Sequence, residues 1–374
     1  MRSAAGDPVT LFLCGDVMLG RGVDQILPCP GDPALEESCV RDAREYVELA
    51  EAANGPIPRP VGYSWPWGDA LEVLDEAAPD VRVLNLETSV THSRDFAPGK
   101  QVHYRMNPAN IPALAVARPD VCVLANNHVL DFGVHGLTET LDALAGAGLD
   151  QAGAGRDEDE AWRPAVVALP GGGRVLVFAV AMSSSGVPGE WAAARDRPGV
   201  AYLPGPTLDA AAQTVRRVRQ VKQPGDIAVV SVHWGSNWGY EVEDDQVEFA
   251  HALAEGGVDL VHGHSSHHPR PAEVYRDRLI LYGCGDFIDD YEGITGYEEY
   301  RDDLRLLYFV TADAATGRLL ELRMAPMRAV RMRLRHARRE DREWLLATLD
   351  GICREFGARV GPAPGGTLAL APAA

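Results

Sequence analysis

Ile227-Ala-Val-Val-Ser-Val-His233 is apolar, rich in β-branched residues, of strand length, and ends in a metal-ligand type. Five other stretches repeat that design. They are Leu11-Phe-Leu-Cys-Gly-Asp16, Val83-Leu-Asn-Leu-Glu87, Val121-Cys-Val-Leu-Ala-Asn-Asn-His128, Leu260-Val-His-Gly-His264 with His267 just beyond, and Leu279-Ile-Leu-Tyr-Gly-Cys-Gly-Asp286. Continuous apolar runs are the mark of parallel strands buried on both faces. Loops converge on one crevice only at the C-terminal ends of such strands. The recurrence of ligand types at that position therefore predicts a site.

Helical patterns lie between the runs. Residues 110–117 precede the third run, with Asn110 placed to cap and Pro112 near the start. Residues 136–148 follow it, with apolar spacing of three and four and glycines at the end. Two further runs, Leu149–Gly153 and Val175–Ala181, bring the predicted strands to eight. Eight βα units predict an α/β fold closed as a (β/α)8 TIM-like barrel with long loop insertions. A two-sheet sandwich flanked by helices is the alternative. Residues 1–330 read as a single metal-binding α/β domain with insertions at 22–75 and 289–303. Residues 331–360 read as a helical extension, and 361–374, rich in Pro, Gly and Ala, as a disordered tail. The first insertion carries Tyr63-Ser-Trp65-Pro-Trp67, which reads either as a lid over an apolar substrate or as local packing.

A formal net charge of −19 excludes an electrostatic hold on nucleic acid or anionic lipid. The one basic run, Arg328 to Arg342, reads as a solvated strand edge and helix start in preference to a phosphate contact. No stretch approaches the length needed to span a bilayer, and the N-terminus lacks the order of a secretory signal. A cytoplasmic location is the expectation. The six cysteines show no CxxC spacing and are expected to be free thiols.

Asp16, Glu87, Asn127, His128, His233, His264 and His267 combine carboxylate, amide and imidazole donors, a mixture suited to iron, manganese or zinc. Seven ligands exceed what one such ion takes from protein, so two ions sharing a bridging carboxylate are expected. Asp131, three residues after His128, is placed to fix a histidine tautomer. Asp286 reads as a ligand, as a partner behind one, or as a proton-transfer group. His262 alternates with His264 and is expected to face away from the site or stand behind it. Trp234 is expected to line the pocket.

The stretches Gly15-Asp16-Val-Met-Leu-Gly-Arg21, Asn85-Leu-Glu87-Thr, Ala125-Asn-Asn-His128-Val-Leu-Asp-Phe-Gly133, His233-Trp-Gly235, Gly263-His264-Ser-Ser-His267 and Gly285-Asp286-Phe287 resemble the CapA-type family of bacterial capsule-synthesis proteins. The resemblance spans most of residues 9–290. It implies that the seven donors named above form a metal site. It also carries the four-layer αββα architecture of metallophosphoesterases as the alternative fold. Two features depart from that group: Asp16 is followed by Val17 and Met18 where a phosphoesterase has Asp-x-His, and the second carboxylate is Glu87.

A member without an anchor and with a Trp-rich insertion resembles the non-haem di-iron monooxygenase of platensimycin/platencin-type diterpenoid pathways. On that resemblance the expected activity is oxidoreductase chemistry in antibiotic biosynthesis. It would hydroxylate a bulky apolar small molecule using two irons, dioxygen, an external reductant and an electron-transfer partner. A CapA-like metal-dependent hydrolase of phosphoester, amide or thioester bonds is the second expectation. A non-catalytic capsule-synthesis protein is the third.

Overall fold

The structure is a computed structural model and describes residues 7–372. The predicted barrel does not form. The strands build two large sheets, and among the described residues no strand pairing joins one sheet to the other. In the first sheet, the central strand Pro8–Val17 is flanked on one side by the parallel strands Val81–Leu86, Val121–Val123 and Asp150–Ala152. Its other side carries the antiparallel strands Leu304–Asp313 and Leu319–Ala329, and Asp286–Ile288 adds a short parallel pairing. In the second sheet Arg174–Met182, Ile227–His233, Leu260–His264 and Arg278–Leu281 run parallel in that order. All eight predicted runs form strands, but four pair in the first sheet and four in the second, so they do not close on one another into a barrel.

Strand Ile227–His233 shows how the layers are built. Ile227 and Val229 belong to the core shared with Leu11 and Leu13 of the first sheet. Ala228, Val230 and Val232 pack with Val215, Phe249 and Leu253 on the outer helices. Side chains alternate across a strand, so one face meets the opposing sheet and the other meets helices. Those helices are Leu208–Val221, where Thr207 accepts from the Ala210 N–H at 3.2 Å, and Asp244–Gly256, closed by a Glu243/Gln246 capping box. Helix Gly133–Gly146 buries Leu137, Leu141 and Leu144 in the core that includes the first sheet. The arrangement is thus the helix-flanked two-sheet alternative.

The chain crosses between the sheets at Gly283-Cys284-Gly285. Strand Arg278–Leu281 pairs in the second sheet and Asp286–Ile288 in the first. A Cβ at Gly15 would lie 1.6 Å from the Gly285 carbonyl oxygen, so only glycine permits this approach. The crossing brings the C-terminal ends of both sheets to one place.

Two terminal expectations change. Residues 361–372 are not a disordered tail: Ala358–Pro362 and Leu368–Pro372 form a hairpin whose second strand pairs with Leu319–Ala329. Residues 373 and 374 lie outside the described residues. The stretch 331–360 holds helix Arg339–Cys353, and strand Leu334–His336 precedes it. Near residue 110, Asn107 and not Asn110 caps, accepting from the Ala109 N–H at 3.0 Å. Asn110 is buried instead, and its amide donates to Asp24 at 2.6 Å.

Candidate metal centre

Strand register places the ligand types side by side. Asp16 pairs with Asn85 on one neighbouring strand and with Asp286 on the other, while His233 pairs with His264 in the second sheet. The Asn85 amide donates to Asp16 Oδ1 at 2.7 Å. His233 Nδ1 lies 2.8 Å from His264 Nδ1, and His264 Nδ1 lies 3.9 Å from Asp16 Oδ1. On the other side of Asp16, His267 Nδ1 is 2.9 Å from Asp286 Oδ1. Two groups result, Asp16 with His233 and His264, and Asp16 with His267 and Asp286. Within each, one ligand atom per residue lies within 4.8 Å of the others. Asp16 belongs to both.

Glu87 and Asn127 approach from the first sheet. Glu87 Oε1 is 3.6 Å from His233 Nε2 and 3.9 Å from His128 Nε2. Asn127 Oδ1 is 3.1 Å from His233 Nε2. Thus all seven predicted donors and Asp286 converge.

His128 is held from behind. Its Nδ1 lies 2.6 Å from Asp131 Oδ2, which also accepts from the Tyr104 backbone N–H at 2.7 Å. The Lys100 ammonium pairs with Asp131 Oδ1 and donates to the Asn127 carbonyl. Tyr104 stacks on the His128 ring at 3.7 Å. Asn126 accepts from the His128 and Val129 N–H groups at 3.0 and 3.1 Å, which fixes the turn. His262 stands behind the centre as expected. It contacts the Cys14 carbonyl at 2.9 Å and Ser231 Oγ at 3.0 Å, and Ser231 Oγ in turn lies 2.8 Å from His264 Nε2.

The electrostatics call for a cation. Burial pushes the Asp16 carboxyl up to about 7, and the Asp286 charge adds to that. Burial, then Asp16 and Asp286, holds Glu87 well above the usual carboxylate range. Burial keeps His233 and His264 well below the ordinary imidazole value, hence neutral. Burial also opposes protonation of His267, but the Asp286 carboxylate outweighs it and raises that ring. Asp16 Oδ2 and Asp286 Oδ2 are buried without a hydrogen-bond partner among the described residues. Neutral imidazoles beside crowded carboxylates with open oxygens are the donor set of a divalent metal, so the residues fit the expected ions.

Glu87, Asn127, His128 and His267 line a cavity of about 620 Å³, with Tyr104, Tyr291, Trp238 and Tyr297 among its walls. The first insertion contributes Tyr46 to this wall, and Tyr291 and Tyr297 come from the second insertion, but the Tyr63-Ser-Trp65-Pro-Trp67 stretch does not reach it. Trp67 is buried in the core and donates to the Ala113 carbonyl at 2.7 Å, and Trp65 donates to the Arg331 carbonyl at 3.0 Å. The first insertion's tryptophans therefore pack locally. Trp234 does not line the cavity either. It is buried against Phe249, donating to the Tyr282 carbonyl at 3.0 Å.

Asn85, Lys100, Tyr104 and Ser231 were not among the expected site residues. Asn85 carried a signal, since residues two apart share a strand face and Glu87 was already a candidate. Ser231 stands in the same relation to His233. Lys100 and Tyr104 sit in loop sequence with no periodic pattern to mark them.

Residues 10–291 match the family described as "Bacterial capsule synthesis protein PGA_cap". A "Probable polyglutamine synthesis accessory protein" of Mycobacterium tuberculosis is 56% identical over 99% of this chain and 98% of its own length. The "PGA biosynthesis protein CapA" of Bacillus subtilis is 27% identical over 85% of this chain and 72% of its own length. The crystal structure of TT1561 of Thermus thermophilus covers 84% of this chain and 97% of its own at 11% identity and a TM-score of 0.38, too slight a likeness to argue from. Among the described residues no helix is long and apolar enough to cross a membrane. The family and these relatives overturn the expected oxidoreductase. Monooxygenase chemistry and antibiotic biosynthesis are withdrawn, and the dioxygen and reductant go with them. By the match over most of its length and by its 56% identity to a full-length relative, the chain belongs to the bacterial capsule synthesis PGA_cap family.

Proposed function

We propose that this protein is a metal-dependent hydrolase that acts as an accessory to the synthesis of a glutamine- or glutamate-based polymer, cleaving an amide bond with water. The observation that carries this reading is the double membership of Asp16 in two ligand-capable groups at the edge of a cavity. Asp16, His233 and His264 would hold one divalent cation, and Asp16, His267 and Asp286 the second. Glu87 and Asn127, both against His233, would complete the first. A pair of divalent cations supplies Lewis acidity, which polarises a carbonyl and makes water a stronger acid. The donor types admit iron, manganese or zinc.

The chain's own groups supply positioning and proton transfer. Asp131 accepts from His128 Nδ1, which leaves Nε2 as an acceptor facing Glu87. Burial holds His128 near 3, so at neutral pH the ring is neutral and its Nε2 is unprotonated. In hydrolysis, water adds to the amide carbonyl carbon and the C–N bond breaks. The proton accepted by His128 Nε2 passes to the departing nitrogen. Lys100 balances the Asp131 charge and Tyr104 keeps the ring in its plane. The relatives' names connect the family to polyglutamine and PGA synthesis, and amide links join such polymers.

The test is incubation of the purified, metal-analysed protein with glutamate and glutamine oligomers in heavy-oxygen water. Mass spectrometry should show shortened oligomers with one labelled oxygen in the new carboxylate, and Asp16→Asn should abolish them. Metal-loaded protein that leaves every oligomer intact would overturn the amide reading. Cleavage confined to phosphoester probes would replace it with phosphoester hydrolysis.

A further inference from the structure

A second cavity, of about 310 Å³, lies against strands Leu304–Asp313 and Leu319–Ala329, and none of its lining residues borders the metal cavity. Arg323, His336 and Arg342 converge on it from two strands and a helix. In a chain of net charge −19 this grouping is anomalous. In the basic run Arg328 pairs with Asp303, Arg333 and Arg335 with Asp69, and Arg339 with Glu343, whereas Arg331, Arg338 and Arg342 have no ion pair among the described residues. The Arg342 guanidinium donates to the Ala337 carbonyl, at 2.8 Å, and among the described residues has no carboxylate partner. Arg323 lies over the Phe309 ring at 5.3 Å and, among the described residues, has no ion pair. Glu76 is the one carboxylate in the lining and, among the described residues, pairs with neither.

The remaining wall is the turn Pro364-Gly-Gly-Thr367, where Gly365 and Gly366 take left-handed φ values of 71° and 75°. The turn has no side chain on its two central residues, so a ligand can approach bare backbone there. Gly366 packs beside Arg342, whose Nε would lie 3.4 Å from a Cβ at that position. Two guanidinium groups facing a cavity, with no carboxylate partner among the described residues, are suited to planar or tetrahedral oxyanions, which accept two parallel N–H bonds.

We infer that this cavity is an oxyanion-binding site separate from the metal centre, taking a carboxylate or phosphate group through Arg323 and Arg342. It does not depend on which reaction the metal centre runs. The carboxylate source would be an acidic peptide or polymer, and the phosphate source free phosphate or a phosphorylated small molecule.

Calorimetric titration of the full chain with inorganic phosphate and, separately, with triglutamate tests the site. Saturable binding of either probe is expected, weakening as salt rises because both guanidinium groups are partly solvated. Arg323→Gln and Arg342→Gln should each reduce affinity by about tenfold. Binding of phosphate alone assigns a phosphate source, and binding of triglutamate alone assigns an acidic peptide. The Arg323 side chain makes no hydrogen bond among the described residues, so Arg323→Gln should melt like the parent protein and remains informative even where Arg342→Gln does not fold. Failure of both probes to bind, or binding that Arg323→Gln leaves unchanged, would overturn the inference.

Discussion

Asp16 and Asp286 occupy paired positions on adjacent parallel strands, and each leaves its Oδ2 buried without a hydrogen-bond partner among the described residues. Two carboxylates so placed repel one another, and a cation between the sheets relieves both. Asp16→Asn keeps the shape but removes the charge shared by the two ligand groups. Elemental analysis should find both metal sites depleted, whereas Asp286→Asn should deplete the second group alone. Equal, undiminished metal in both variants would show that the centre lies elsewhere.

Asp131 touches His128 but belongs to neither candidate ligand group. Asp131→Asn should slow hydrolysis by about 10–100-fold while leaving metal content near the parent value. A variant that instead loses its metal would make His128 a ligand first and a proton carrier second.

Metal binding should expel protons. Asp16 sits near 7 in the metal-free protein because of burial and Asp286. Its folded value is raised, so the folded state binds more protons than the unfolded one between the ordinary carboxylate range and 7. Its contribution to stability is accordingly lost as pH rises through that window. A metal that needs the carboxylate charged competes with the proton, so affinity should climb from pH 6 to pH 8. Titrations at pH 6 in buffers of different ionisation heat should reveal proton release that is smaller at pH 8. Equal release at both values would contradict the assignment.

Gly15→Ala places a methyl group where the Gly285 carbonyl already stands. Overpacking that side chains can absorb costs about 1–3 kcal/mol, and a clash with backbone this close should cost more. Urea denaturation should show that loss together with reduced metal content, because the crossing that aligns Asp16 with Asp286 is displaced.

Trp67→Ala should destabilise the fold by about 3–5 kcal/mol through the cavity it leaves. Tyr297→Ala should change stability little, since Tyr297 is 41% exposed at the cavity wall. Substrate affinity should respond in the opposite order. A Trp67 variant that melts normally yet fails to bind substrate would restore the first insertion as a lid.

Much of the centre was legible in the chain. Apolar runs identify buried strands by local composition, and residues such as Asp16, His233 and Asp286 fall at strand ends whatever the sheets do next. Asn85 was within reach, because period-two geometry puts it on the same face as Glu87. Lys100 and Tyr104 were not, since they come from loop sequence and meet His128 only through the fold.

The sequence by itself determined the strands, the donor types at their ends and, through the motif order, the family. Only the tertiary structure decided that the strands divide into two sheets, that Asp16 is shared between two ligand groups, and that Trp67 is core with the half-buried Trp65 packed against it. The physical reason is range. Burial and strand period are written in neighbouring residues, whereas sheet closure depends on which edges pair. That pairing is set by contacts as distant in sequence as Gly15 and Gly285.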